Sequence, residues 1–149
     1  TETAVLCYLC SRTTPVWDAT KAYYLVQSYA GALAQGLRAN VWYNWTDFLA
    51  HIDGPAYTAY GFAQSKLSNA TYSADVGGPD LGEVTGLKGY KFMRGNKWVW
   101  VIWSLDGNPH TVYFAGGVPS GAWDVLGNVI TPSAAMPITI TPIYLEWYR

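Results

Sequence analysis

The stretch that decides the fold begins with Gly89-Tyr-Lys-Phe-Met-Arg94. It continues through Gly95-Asn96 directly into Lys97-Trp-Val-Trp-Val-Ile-Trp103. Aromatic and β-branched residues fill the two outer segments, as is typical of β-strands. A two-residue linker that combines glycine with asparagine favours a tight β-hairpin between them. The stretch therefore predicts two neighbouring antiparallel strands.

The rest of the C-terminal half has the same kind of pattern. From Tyr72 onward the periodicity is that of β-structure, and turn-forming residues recur at intervals of roughly 8 to 12 residues. Further strands are predicted at Thr111–Phe114, Ala122–Val125, Ile138–Thr141 and Ile143–Glu146. Pro137 and Pro142 flank the third of these, which favours an edge position. Residues 70–149 are therefore predicted to form an antiparallel β-sandwich of about six to eight strands.

Before Tyr72 the periodicity is helical. Apolar residues recur at spacings of three and four in Trp17–Leu37 and again in Pro55–Leu67, as amphipathic helices require. Val41-Trp-Tyr-Asn-Trp45 lies between them and is almost entirely apolar or aromatic, as strands of parallel sheets are. We interpret residues 1–69 as a remnant of the last β/α units of a (β/α)8 barrel. The predicted fold class is α+β, a partial barrel segment followed by a β-sandwich.

Composition narrows the classes of function. The 149 residues carry a net charge of −1 and are 13% charged, which is too little basic charge for a nucleic-acid-binding protein. No run approaches the ~18 apolar residues that a membrane helix needs, so neither nucleic acid nor a membrane is expected as a partner. The sequence is unusually rich in aromatic residues, with 8 Trp and 12 Tyr. They either fill a β-rich core or form a surface that stacks on sugars.

No metal or cofactor is expected. Cys7 and Cys10 have the spacing of a redox pair or of half a zinc site, but the sequence has no second cysteine pair. Two buried thiols are the favoured interpretation. Asp75, Asp80 and Glu83 surround a Gly-Gly turn, yet they lack the regular spacing of a calcium loop.

The ordered set of short motifs resembles the C-terminal part of a retaining (β/α)8-barrel glycoside hydrolase of the xylosidase and iduronidase type, with its appended β-sandwich. The matching segments are Thr1-Glu2-Thr3, Trp42-Tyr-Asn-Trp45, Gly54-Pro-Ala-Tyr57, Val99-Trp-Val-Ile-Trp103, Trp123-Asp-Val-Leu-Gly-Asn128 and Pro142-Ile-Tyr-Leu145. They extend over nearly the whole chain. The resemblance implies retaining hydrolysis of O-glycosidic bonds, with a carbohydrate as substrate.

The resemblance also implies roles for individual residues. Glu2 matches the nucleophile at the end of the seventh barrel strand, and Trp45, or Trp42 as second choice, matches the aromatic residue of the eighth strand beneath the sugar. The acid/base glutamate of the family lies in an Asn-Glu pair, and this sequence contains no such dipeptide. Retaining hydrolysis needs two carboxyl groups. The isolated chain is therefore expected to be an inactive C-terminal fragment.

Two other classes of function compete with this interpretation. A carbohydrate-binding module would present Trp98, Trp100 or Trp123 as a flat platform for sugars. A purely structural module would pack its helices and its sandwich together without any ligand. In the barrel interpretation, residues 1–50 expose apolar surface that barrel neighbours would cover, so a homo-oligomer is predicted, with its contact in this region.

Overall fold

The computed structural model describes residues 2–3, 15–37, 40–42, 54–82 and 84–149, with the backbone alone at residues 2, 3, 41 and 42. The helices are α1 (Pro15–Ala34), α2 (Pro55–Leu67) and α3 (Gly78–Leu81). The strands are β1 (Glu2–Thr3), β2 (Val41–Trp42), β3 (Thr71–Asp75), β4 (Leu87–Arg94), β5 (Lys97–Ser104), β6 (His110–Tyr113), β7 (Gly121–Trp123), β8 (Val129–Ile130), β9 (Ala135–Ile138) and β10 (Ile143–Tyr148).

The C-terminal half forms two antiparallel sheets. The larger sheet has six strands in the order β3-β4-β5-β10-β7-β8, and the smaller sheet pairs β6 with β9. The predicted hairpin is confirmed, because Arg94 pairs with Lys97 across Gly95-Asn96. The predicted fold class, α+β with an antiparallel sandwich after a helix–strand segment, is confirmed as well.

The helices α1 and α2 cover one face of the six-stranded sheet. Leu25 and Val26 of α1 are fully buried there, together with Phe92, Val101 and Tyr144 of the sheet. The inward positions of α2 are mostly alanines, whose small side chains let the helices approach each other and the sheet closely. This core explains why the apolar residues of both helices recur at spacings of three and four.

The second core lies on the opposite face of the six-stranded sheet. Ile102 and Leu145 of that sheet pack against Val112, Met136 and Ile138 of the β6–β9 sheet. The architecture therefore has three layers, with helices on one side, the six-stranded sheet in the middle and the two-stranded sheet outside. The side chains of β5 and β10 alternate between the two cores, as the two-residue period of a strand requires.

One predicted strand is displaced along the chain. The prediction placed it at Ile138–Thr141 with proline on either side, but β9 ends at Ile138 and contains Pro137. Proline is tolerated there because, among the described strands, β9 pairs with β6 alone, so its other edge needs no N–H donor. The backbone carbonyl of Thr139 instead accepts a hydrogen bond from the Ser104 N–H at the end of β5.

Candidate functional site

Two of the predicted site residues lie on the β1–β2 pair. These two strands run parallel, with Glu2 opposite Val41 and Thr3 opposite Trp42, and α1 lies between them in the chain. This is the connectivity of a β/α unit, in which the carboxyl ends of neighbouring strands meet at one edge. The roles predicted for Glu2 and Trp42 stay predictions, and Trp45 lies outside the described residues.

A buried carboxylate joins α2 to the middle of the sheet. Glu146 of β10 is 5% exposed, and its two oxygens accept hydrogen bonds from Lys66 Nζ at 2.7 Å and from Lys97 Nζ at 2.9 Å. Burial by itself raises the pKa of the Glu146 carboxyl, but the two ammonium groups outweigh it and hold that pKa below its usual value. Both oxygens are engaged with lysines, so this carboxylate holds the layers together rather than serving as a proton donor.

Trp123 belongs to the same cluster. The ammonium of Lys66 lies 3.1 Å from the centroid of the Trp123 ring, and Phe62 of α2 packs 6.5 Å from it, centroid to centroid. Burial lowers the pKa of Lys66, and the hydrogen bond to Glu146 opposes that shift. Trp123 therefore packs on the helix-covered side of the sheet, so of the three candidates for a sugar platform it lies on the opposite face from Trp98 and Trp100.

The opposite face of the sheet carries an open aromatic site. Trp98, Trp100 and Trp147 line a cavity of about 400 Å³, here called the aromatic cleft. Trp98 is directly opposite Trp147 in the β5–β10 pairing, and Trp100 is two residues along the same strand. Trp98 and Trp100 therefore share a face, as the sequence indicates. The ring centroids of Trp100 and Trp147 lie 4.5 Å apart, and the two ring planes are inclined at 46° to each other. The site is therefore a cleft rather than a flat platform.

The ion pair of Asp80 with Lys91 forms a polar wall of the aromatic cleft. Lys91 of β4 donates to both carboxylate oxygens of Asp80 at 2.9 Å, and the Asp80 carboxylate also accepts the Gly77 backbone N–H. Both side chains are about one-fifth exposed, at 20% and 19%. The ion pair therefore offers charged, directional groups at the edge of an otherwise aromatic cavity of a size typical for small ligands.

A second polar cluster closes the turn after β5. Asp106 accepts hydrogen bonds from Ser104 Oγ at 2.7 Å and from the Asn108 N–H at 2.9 Å, and it contacts His110 Nε2 at 2.9 Å. The hydrogen bond with His110, together with those from Ser104 and Asn108, holds the pKa of Asp106 well below its usual range. The carboxylate lies between the hydroxyl and the imidazole, whereas a nucleophilic serine needs the imidazole beside its hydroxyl. This cluster stabilises the turn.

The residues weighed as metal ligands do not form a site where the structure describes them. No group of three His, Cys, Asp or Glu residues is arranged to hold a metal within the described ranges. Asp75 is paired with Lys88 and Asp80 with Lys91. Cys7, Cys10 and Glu83 lie outside the described residues. Over those same ranges, no helix is long and apolar enough to cross a membrane.

Comparison with known proteins finds a similarity of fold but no similarity of sequence. The sequence matches no protein-family model and no curated protein sequence. A solved structure with a similar fold is a GH30 endoxylanase from Clostridium papyrosolvens C71, with a TM-score of 0.51 and 8% sequence identity. The similarity covers 91% of this chain and 39% of the endoxylanase chain, so the chain spans well under half of that enzyme's length. The fold is thus similar to that of a glycoside hydrolase.

Sequence reasoning missed part of the aromatic cleft. It singled out Trp98 and Trp100, but neither Trp147 nor the pair of Asp80 and Lys91. These three residues reach the cleft through α3 and the pairing of β4, β5 and β10, contacts between positions far apart in the chain. The only local signal was the alternation in Leu145-Glu-Trp147, which puts Leu145 and Trp147 on one face.

Proposed function

We propose that this chain forms the last β/α units and the β-sandwich of a retaining glycoside hydrolase, with Glu2 as the nucleophile. The parallel pairing of β1 with β2 around α1 carries the proposal, because the sandwich alone would also suit a binding module. The order of elements that follows, α2 and then an antiparallel sandwich, supports it. The fold similarity to an endoxylanase over 91% of the chain supports it further.

The chemistry of the reaction assigns one half of the catalytic pair to this chain. In retaining hydrolysis one carboxylate attacks the anomeric carbon, and a second carboxyl group about 5–5.5 Å away protonates the leaving oxygen. Glu2 is proposed for the attack. The proton donor comes from a part of the barrel that this sequence does not contain, and losing a positioned acid costs roughly 10²–10⁴-fold in rate. The 149-residue chain alone is therefore inactive.

The proposed substrates are polysaccharides or oligosaccharides of neutral pyranoses. The structural neighbour is an endoxylanase, so a xylose polymer is the first substrate class to test. In this proposal β1 supplies the nucleophile Glu2. The six-stranded sheet supports the barrel segment because α1 and α2 pack on it. In this proposal the sandwich stabilises the fold and the barrel performs the hydrolysis.

Azide rescue in the natural gene product that contains this sequence tests the proposal. Glu2→Ala should abolish turnover of an activated aryl β-xyloside or β-glucoside. Added azide should then restore release of the phenol and form a glycosyl azide of inverted configuration, because azide enters where the carboxylate attacked. Asp75→Asn, which changes an exposed carboxylate paired with Lys88, is the matched control and should retain full activity. Full turnover by the Glu2→Ala variant without azide would refute the assignment.

A further inference from the structure

We propose that the aromatic cleft binds a neutral sugar unit of an oligosaccharide, as a site separate from Glu2. The cleft takes its lining from β3, β4, β5, β10 and the segment around α3, and none of these belongs to the β1–β2 pair. It lies on the face of the sheet that α1 and α2 do not cover. Binding here requires no hydrolysis, so the proposal goes beyond the proposed function and stands independently of it.

The aromatic part of the cleft suits the face of a pyranose ring. One face of such a ring presents C–H groups, which pack on an indole much as another apolar surface does. Trp98 and Trp147 are only partly buried although they are large and lie side by side in neighbouring strands. Trp147 is held in place by ring contacts with Trp100 and Phe114 and by its indole N–H, which donates to the Gly117 carbonyl. The Trp147 ring is thus fixed before any ligand arrives, which lowers the entropic cost of binding.

The polar wall suits the hydroxyl groups of the same ring. Asp80 accepts three hydrogen bonds, two from Lys91 and one from Gly77. A carboxylate has about four lone-pair positions, so its oxygens can still accept a hydroxyl proton. Ser73 also lines the cavity. A sugar therefore finds donors and acceptors at its edge and aromatic rings against its face.

The charge of the wall favours a neutral ligand. The positive charge of Lys91 is matched by Asp80 at 2.9 Å on both oxygens, so no net charge is left to attract a carboxylate or phosphate. A uronic acid or a phosphorylated sugar would have to compete with Asp80 for the ammonium group. The cavity of about 400 Å³ has room for one or two sugar units. The inferred ligand class is a neutral oligosaccharide such as a xylose or glucose oligomer.

Calorimetric titration of the 149-residue chain with xylohexaose, cellohexaose and hexagalacturonate tests the inference. At least one neutral hexasaccharide should bind with one site per chain, and hexagalacturonate should bind at least tenfold more weakly or not at all. Trp98→Ala should weaken binding roughly tenfold, because it removes apolar contact area. Lys91→Met should weaken it by a similar factor, because it leaves Asp80 without its partner and disorders the polar wall.

Controls separate a specific site from general effects. Tyr113→Ala removes an exposed aromatic ring, 68% exposed, from the other sheet and should leave the affinity unchanged. Trp147→Ala removes the second partly buried indole of the cleft and should weaken binding. The inference is overturned if no neutral hexasaccharide binds, if hexagalacturonate binds more tightly, or if Trp98→Ala and Trp147→Ala bind normally.

Discussion

Replacement of Glu146 by glutamine tests how the helices are attached to the sheet. Glu146 accepts one hydrogen bond from Lys66 of α2 and one from Lys97 of β5. The side chain of Lys66 is only 12% exposed, so its ammonium group cannot turn into water when the carboxylate is removed. Glu146→Gln keeps the size of the side chain and removes the charge, which leaves a buried ammonium group without an anion.

The expected cost is large for a single substitution. Removing one partner of a buried ion pair costs about 3–5 kcal/mol, a large part of the 5–15 kcal/mol that typically stabilises a domain. In urea, where the slope is about 1–3 kcal/mol per M, this loss lowers the midpoint of unfolding by roughly 2 M. The measurement is equilibrium urea unfolding at pH 7, followed by tryptophan fluorescence and far-ultraviolet circular dichroism.

Asp75→Asn provides the matched control. Asp75 also pairs with one lysine, Lys88, at 2.7 Å, but the two side chains are 52% and 32% exposed. An exposed pair contributes about 0–1 kcal/mol, so this variant should unfold almost as the unmodified chain does. Equal destabilisation by Glu146→Gln and Asp75→Asn would refute the reasoning, because it would mean that water screens the Glu146 cluster as fully as it screens a surface pair.

Three further outcomes are expected. Gly127→Ala should destabilise the chain by about 2–5 kcal/mol, because Gly127 has φ +88° and a Cβ there would lie 2.6 Å from Phe62. Gly117→Ala is its control, because Gly117 has φ +76° but open space around it, and it should lower the free energy of unfolding by only about 1–2 kcal/mol in the same urea titration. Equal losses in the two variants would contradict the packing of Phe62 of α2 on the turn at Gly127. The pKa of Glu146 is lowered in the folded state, so the contribution of its carboxylate to the free energy of unfolding is present above the unfolded pKa of about 4.3 and is lost as the pH falls through the folded pKa. The urea midpoint should therefore fall less steeply between pH 6 and pH 3 for Glu146→Gln than for the unmodified chain. An equal slope for the two proteins would contradict this. The chain should also self-associate through residues 1–50 at micromolar concentration in sedimentation experiments, because among the described strands β1 and β2 pair only with each other, which favours pairing with another strand. Trp42→Lys should shift the chain toward monomer, whereas a monomeric unmodified chain would refute the prediction.

Local patterns predicted the elements whose structure depends on their own residues. The hairpin at Gly95-Asn96 and the helix Pro55–Leu67 are found at the predicted positions. The first helix covers Pro15–Ala34 rather than Trp17–Leu37, since the Leu37 N–H bonds to the Ala32 carbonyl and closes the last turn. Helix ends and hairpin turns are fixed by neighbouring residues, so the sequence indicates them to within a few positions.

Contacts between distant residues could not be predicted in the same way. The place of Trp123 depends on which face of β7 meets α2, and a three-residue strand carries too little alternation to decide that. The aromatic cleft needs β5 and β10 side by side although 38 residues separate Ser104 from Ile143. The Glu146 cluster draws on four elements, α2, β5, β7 and β10. Such sites follow from strand order, which single-sequence patterns do not specify.

Covalent trapping of the nucleophile tests the central proposal most directly. The natural gene product that contains this sequence would be incubated with an activated 2-deoxy-2-fluoro β-glycoside of xylose or glucose, digested and mapped by mass spectrometry. We expect one sugar per molecule, attached to the peptide that contains Glu2, and loss of the adduct in Glu2→Gln. A sugar attached to another carboxylate, or turnover by Glu2→Gln at the rate of the unmodified protein, would contradict the proposal.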